Sequence, residues 1–221
     1  MDTDKNLNSS TDFKRLRSIL DGDGQQIREQ FILAGLILTV FERFKEYVIN
    51  QVDGFFSDRS EIRDGKLTFT RSAEFKRIVK ERGVGDPGQH DNRVFRAALH
   101  WFFDLGAIDK TERDAIERIY TLRNEIGHQL FQIIADDAKQ PVLLSDVLIT
   151  FGVYVKIVRW WVKEVEATTD PDMTTERYEN IDWEQVESTD TVFLREVINK
   201  ALAENTDWQD LQKWVHSEPP P

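Results

Sequence analysis

The feature that most constrains the fold is the spacing of apolar residues between positions 119 and 133. An α-helix advances about 100° per residue, so residues three, four and seven apart fall on one side of it. The apolar residues at this spacing are Ile119, Leu122, Ile126, Leu130 and Ile133. Such a stripe buries one face of a helix against a core. The chain is therefore predicted to be organised around one long amphipathic helix.

The opposite side of this helix carries a different kind of residue. His128 lies about 180° from the apolar stripe, and Asn124 precedes it by one turn on the same side. The residues of this second stripe are Glu117, Thr121, Asn124, His128, Phe131 and Ala135. They are mostly small or polar with one aromatic ring, a mixture that suits a partner surface better than bulk water.

Two further residues mark the same region. Arg123 lies between the two faces, and its long stem can carry the guanidinium towards the His128 side. Gly127 costs a helix interior about 1 kcal/mol relative to alanine. It also allows another backbone or a ligand to approach closely. Helix stability is therefore sacrificed next to His128.

The order of these residues resembles the signature of a known family. Arg123, four intervening residues and then His128, with Asn124 directly after the arginine, resemble the R-x(4–6)-H motif of the HEPN domains. The resemblance covers residues 111–135 as a motif and residues 25–166 as a helical architecture. It implies an all-α, up-and-down helical bundle. Some small HEPN toxins carry a tyrosine, modified by their antitoxin, where this chain has Leu130, so that form of regulation is not expected.

The resemblance also implies a chemistry. Many HEPN proteins are metal-independent endoribonucleases of toxin–antitoxin and phage-defence systems, in which the ribose 2′-hydroxyl attacks the adjacent phosphorus. His128 is then the expected general acid or base, and Arg123 the clamp on the developing phosphorane charge. Asn124 would orient the imidazole or a phosphate oxygen, and Glu125 would support the site by influencing His128 protonation. No cofactor and no metal are expected.

The resemblance implies partners as well, and two other hypotheses stay open beside it. HEPN enzymes pair two such helices across a two-fold axis, so a homodimer through the Arg123 and His128 face is expected. RNA is the expected substrate, and an antitoxin or regulatory protein is a candidate partner. Alternatively, the chain is a non-catalytic HEPN-like dimer that binds RNA or protein. In the second hypothesis, the chain is an unrelated helical adaptor that binds through its acidic C-terminal part, and Arg123 and His128 are ordinary surface residues.

Composition excludes several classes of protein. The chain has 221 residues with 40% hydrophobic content, enough for one good-sized core and an appendage. It has no cysteine, which excludes disulfides and thiolate metal sites. The polar, acidic stretch at residues 1–6 does not have the pattern of a signal peptide, and none is expected. The apolar run at residues 31–41 is far shorter than the roughly 20 residues of a membrane span. A cytoplasmic protein with no membrane partner is predicted.

The net charge of −11 is concentrated at one end of the chain. Residues 164–221 hold 15 acidic and 4 basic side chains, so residues 1–163 hold 25 of each sign. Phosphate binding relies on lysine and arginine, and the neutral body leaves room for a basic cleft. The acidic segment is predicted to keep the protein soluble. A sharper hypothesis is that it inhibits the site by competing with RNA phosphates.

These observations predict three parts: a polar segment at 1–24 with a short helix at 11–20, the HEPN-like bundle at 25–167, and an acidic C-terminal helical segment and tail at 168–221. The predicted helices cover residues 25–52, 72–82, 91–105, 111–140, 145–165, 190–204 and 206–215, with a glycine-rich loop at 83–88 and a small hairpin within 54–70.

Thr111 with Asp114 is the predicted N-terminal cap of the motif helix, and Pro141 is predicted to close it. Leu105 is expected to face inward. Trp183, Trp208 and Trp214 are the expected anchors of the C-terminal segment.

Overall fold

The computed structural model describes residues 24–63, 65–82, 90–136 and 138–203, together with residues 15, 17, 21 and 22. The predicted loop at 83–88 and the predicted helix at 206–215, with Trp208 and Trp214, lie outside the described residues. Of the predicted helix at 11–20, only Arg15 and Arg17 are described, and both are helical.

The described residues are mostly helical, which confirms the predicted fold class at that level. The helices are α1 (Gln25–Phe55), α2 (Ala73–Arg82), α3 (His90–Asp104), α4 (Lys110–Ala135), α5 (Leu144–Trp161), α6 (Ala167–Thr169), α7 (Thr175–Asn180) and α8 (Thr189–Leu202). A π-helical turn, Val162–Glu166, joins α5 to α6, and a 3-10 turn, Trp183–Gln185, precedes α8. Strands β1 (Ser57–Arg63) and β2 (Lys66–Arg71) form an antiparallel hairpin between α1 and α2.

Helix α1 is the centre of the bundle and packs against α3, α4 and α5. Its buried rings Phe41 and Phe44 meet Phe95 of α3, with centroids 5.5 and 5.9 Å apart. Phe41 also meets Tyr120 of α4 at 5.8 Å. Edge-to-face and tilted aromatic contacts at these separations stabilise a core beyond the area that they bury. The aromatic side chains of the sequence therefore hold the three helices together.

Helices α1 and α5 run in the same direction. Near the start of α1, the Gln30 side chain donates to the Val142 carbonyl at 3.2 Å and accepts from the Val142 amide at 2.9 Å. At the other end, Phe55 lies against Trp161 of α5, with ring centroids 6.0 Å apart. Helix α4 runs antiparallel to both, so the start of α1 and the end of α4 lie at the same end of the bundle.

The start of α4 corrects one prediction. Asp109 is the N-cap: its side chain accepts from the Glu112 amide at 2.9 Å, and the Glu112 side chain accepts from the Asp109 amide at 2.8 Å. These reciprocal bonds form a capping box, and the predicted cap at Thr111 with Asp114 is wrong. Asp114 instead accepts hydrogen bonds from the neighbouring Arg113, which lower the pKa of its carboxyl. The helix also ends at Ala135, well before Pro141.

Two residues differ from the prediction in whether they are buried or exposed. Leu105, expected inside, is 48% exposed because α3 ends at Asp104. Ala135, expected on the outer stripe, is buried. The helix also breaks before Ala135, at Gln129, whose φ of −136° and ψ of 25° are not helical, so a regular helical wheel no longer fixes the side of every residue that follows. Sequence periodicity assumes a regular helix and misses such a break.

Other local predictions are confirmed. Ser72 caps α2, since its hydroxyl accepts from the Phe75 amide at 3.1 Å. The hairpin forms where it was expected. The acidic segment includes α8, which packs on α1 and α5. Within the described ranges, no helix combines the length and the apolar composition that crossing a bilayer requires.

Candidate functional site

The four residues of the predicted site lie in the second half of α4, residues 123–135. This half runs beside the first half of α1. Arg123 meets Glu42 of α1, and further along Ile133 and Leu33 line one cavity. Helix α1 therefore lies along one side of the predicted site.

Arg123 is held by two neighbours rather than lying free. Its Nη2 forms an ion pair with Oε1 of Glu42, and its Nη1 donates to Oδ1 of Asn124 at 3.1 Å. The Arg123 side chain is 31% exposed. Its Nε is buried and has no hydrogen-bond partner within the described part of the chain. The structure thus brings Arg123 and Asn124 together and places the guanidinium at the boundary between α1 and α4.

His128 is exposed, one turn after Asn124 on the outer side of α4. No hydrogen bond or ion pair joins the His128 imidazole to Arg123 among the described residues. Asn124 is nevertheless bonded to Arg123 and lies on the same helix face as His128.

The surface around His128 is open. Gly127 is exposed, and a Cβ added to it would meet no atom within 4 Å. Phe131 is 73% exposed, which is unusual for a phenylalanine in a helix that packs on a core. Directly after His128 comes the non-helical residue Gln129. Residues 127–131 therefore combine open space above Gly127, an exposed aromatic ring and an irregular backbone.

Glu125, the predicted supporting residue, has a lysine as its neighbour. Its Oε2 lies 3.8 Å from Nζ of Lys139, in the turn that follows α4. Lys139 also donates to Oε1 of Gln129 at 3.3 Å. Glu125 and Lys139 therefore form a polar contact between the middle of α4 and the turn that follows the helix.

Sequence reasoning missed Glu42 and Lys139. Glu42 was not singled out, because a glutamate on the flank of a helix has no periodicity that distinguishes it from a solvated residue. Lys139 lies in a polar stretch that gives no local signal. Glu42 is brought to the site by the packing of α1 beside α4, and Lys139 by the turn that follows α4. Only a charge-pairing argument based on the antiparallel register of α1 and α4 could have identified Glu42.

The chemistry that the site offers is one exposed imidazole, one guanidinium and one amide. Among residues the structure describes, no group of three or more histidine, aspartate or glutamate side chains is placed to hold a metal ion. No family model, curated protein or solved structure matches the chain. The HEPN assignment accordingly rests on Arg123, Asn124 and His128 and stays a prediction.

Proposed function

We propose that the chain is a metal-independent endoribonuclease of the HEPN type that cleaves RNA by attack of the ribose 2′-hydroxyl. The observation that carries the proposal is the outer side of α4, where an exposed His128 shares one helix face with Asn124, and Asn124 is bonded to Arg123. A role as a toxin or phage-defence effector follows from the resemblance alone.

The roles of the residues follow from what each can supply. His128 is exposed and therefore reachable by a large substrate, and an imidazole transfers protons near neutral pH. Arg123 supplies a planar fork that matches phosphate oxygens. Asn124 holds Nη1 of that fork and fixes its direction. Together they provide a proton carrier and a cation on one side of a helix.

Glu42 has to be reconciled with this proposal. It pairs with Arg123 in the structure, and the two side chains are 45% and 31% exposed. Ion pairs of such exposure contribute only about 0–1 kcal/mol. An RNA phosphate can therefore replace Glu42 at small cost, and Glu42 keeps the guanidinium oriented until the substrate binds.

A homodimer fits the same surface. One copy presents a single His128 beside an exposed Phe131, with room for close approach at Gly127. Two copies related by a two-fold axis would cover Phe131 and form a cleft with two Arg123 and two His128 side chains. Sedimentation of the wild type and of Phe131→Ser tests this point. A dimer that Phe131→Ser dissociates supports it, and a wild-type monomer at high concentration contradicts it.

The alternative is a non-catalytic HEPN-like module that binds RNA or protein. The Arg123–Glu42 ion pair favours it, because a neutralised arginine is less suited to stabilise a transition state. The Glu42→Gln variant, assayed for both RNA affinity and cleavage, tests what Arg123 does. In the enzyme, freeing Arg123 raises RNA affinity and leaves cleavage intact. In a module whose arginine serves only structure, Glu42→Gln changes stability and leaves RNA affinity unchanged.

The decisive experiment is cleavage of a labelled RNA in EDTA by the wild type, by His128→Ala and by Gln132→Ala, an exposed control one turn further along α4. We expect the wild type and the control to leave cyclic phosphate ends. We expect His128→Ala to lower the rate by about 100-fold or more. Equal cleavage by His128→Ala would contradict the proposal. RNA binding without cleavage in all three would favour the binding module.

A further inference from the structure

The C-terminal end of α4 is held by a side chain from the distant N-terminal segment. Nη1 of Arg15 donates to the carbonyl oxygens of Ile133 at 3.1 Å, Asp136 at 3.0 Å and Lys139 at 3.1 Å. The last carbonyls of a helix have no intrahelical donor, and a cation suits the negative end of the helix dipole. Arg15 therefore caps α4 across more than a hundred residues of chain.

The turn that Arg15 holds is folded back against the helix. The Lys139 amide donates to the Asp136 carbonyl at 3.1 Å, and the Ala138 amide donates to the Asp136 side chain at 2.8 Å. From this turn, Nζ of Lys139 reaches Oε1 of Gln129 at 3.3 Å and approaches Glu125 at 3.8 Å. Two hydrogen bonds thus connect Arg15 to Gln129, the residue directly after His128. One joins Arg15 to the Lys139 carbonyl, and the other joins Nζ of Lys139 to Gln129.

Packing fixes only the inner side of this part of the helix, where Ile133 and Ala135 are buried. Gly127, His128, Gln129 and Phe131 are all exposed, so they are not clamped by the core. Where Arg15 meets the end of α4, its side chain borders a cavity of about 420 Å³ together with Leu33, Ile133 and Val142. Polar contacts to the turn therefore act together with the packing of the inner side in setting the end of α4.

We propose that Arg15 is a positioning residue for the α4 site: by holding the turn at residues 136–139, it keeps Lys139 on Gln129 and so sets the helix break beside His128. The catalytic part of this inference rests on the proposed function, whereas the structural part does not. It makes Arg15 a component of the site.

The three hydrogen bonds of Arg15 determine which substitutions test the proposal. A single nitrogen of Arg15 serves three carbonyl oxygens. A lysine ammonium carries three protons, so Arg15→Lys should restore part of the contact, whereas Arg15→Met should restore none. Arg17→Met is the matched control, because Arg17 is exposed two residues away. Lys139→Met keeps the carbonyl that Arg15 binds and removes the contacts of the ammonium group with Gln129 and Glu125.

The experiment measures amide hydrogen exchange over residues 125–136 in the full chain, together with kcat and KM for cleavage of the labelled RNA in EDTA. For Arg15→Met we expect exchange at 128–136 to rise about tenfold, the size of a lost hydrogen bond to a charged group. We also expect kcat to fall, with KM little changed. Lys139→Met should loosen only the residues near Gln129 and lower kcat in the same way. Arg15→Lys should recover much of both losses, and Arg17→Met should match the wild type.

Several results would overturn the inference. Unchanged exchange in Arg15→Met, or the same change in Arg17→Met, removes the cap. A looser helix end with unchanged kcat removes the positioning role. If the wild type does not cleave RNA at all, the proposed function fails, and exchange at Gln129 in Lys139→Met and Arg15→Met still decides the structural claim. If Arg15→Met does not fold, Lys139→Met and Arg15→Lys give the decision.

Discussion

The two halves of α4 differ in what holds them, although both carry apolar residues at helical spacing. The first half, residues 110–122, starts in a capping box and is tied to its neighbours by ion pairs. Arg96 of α3 meets Glu117 at 2.9 Å, and Arg118 meets the buried Asp146 of α5 at 2.7 Å. The second half, residues 123–135, exposes its outer side and breaks at Gln129.

The difference follows from where the neighbouring helix begins. Phe95 of α3 stacks on Tyr120 with ring centroids 5.8 Å apart, and α3 starts only five residues earlier, at His90. Because a helix rises about 1.5 Å per residue, α3 itself covers α4 little beyond residue 125. The half of α4 with neighbours on several sides is a structural element. The half that extends past α3 leaves an exposed surface, on which the proposed site lies.

The largest expected effect lies in the first half. Ile119 is fully buried, so Ile119→Ala should lower the free energy of unfolding by about 3 kcal/mol, the usual cost of a cavity at such a site. Phe131→Ser in the second half should change it by less than about 0.5 kcal/mol. Urea denaturation under conditions that keep both variants monomeric measures the two. Equal losses would mean that Phe131 is packed and that the halves do not differ.

A smaller effect tests the corrected start of α4. Asp109→Ala removes the side chain of the capping box and should cost about 1 kcal/mol. Thr111→Ala should cost nothing, because Thr111 is exposed inside the first turn. The same denaturation series compares them, and a larger loss for Thr111→Ala would restore the cap predicted from sequence.

The smallest effect has the opposite sign. Gly127→Ala should raise the free energy of unfolding by about 0.5–1 kcal/mol, since a helical glycine is replaced where an added Cβ meets no atom. If two copies meet at this point, the methyl group should at the same time weaken dimerisation and RNA cleavage. Gly152→Ala, in the exposed part of α5, is the matched control and should be stabilised without either loss. An active, dimeric and more stable Gly127→Ala would show that the space above Gly127 is not used.

Much of the fold was predictable because its signals are local. Helical spacing indicated α1, α3, α4 and α5, and the hydroxyl of Ser72 marked the start of α2. The prediction failed at the edges of elements. Asp109 with Glu112 formed the capping box two residues before the predicted Thr111, and Leu105 fell just past the end of α3. A one-residue or two-residue shift of a boundary changes which side chain caps or is buried.

For the site, the sequence by itself determined that Arg123, Asn124 and His128 lie on one helix, with His128 on the side away from the apolar stripe. Residues one helical turn apart are neighbours in any α-helix, so this follows without a tertiary structure. Only the tertiary structure decided that Glu42 pairs with Arg123, and that Arg15 and Lys139 hold the end of α4. These contacts depend on how side chains of separate helices interlock, and that register is set by packing between residues far apart in the chain.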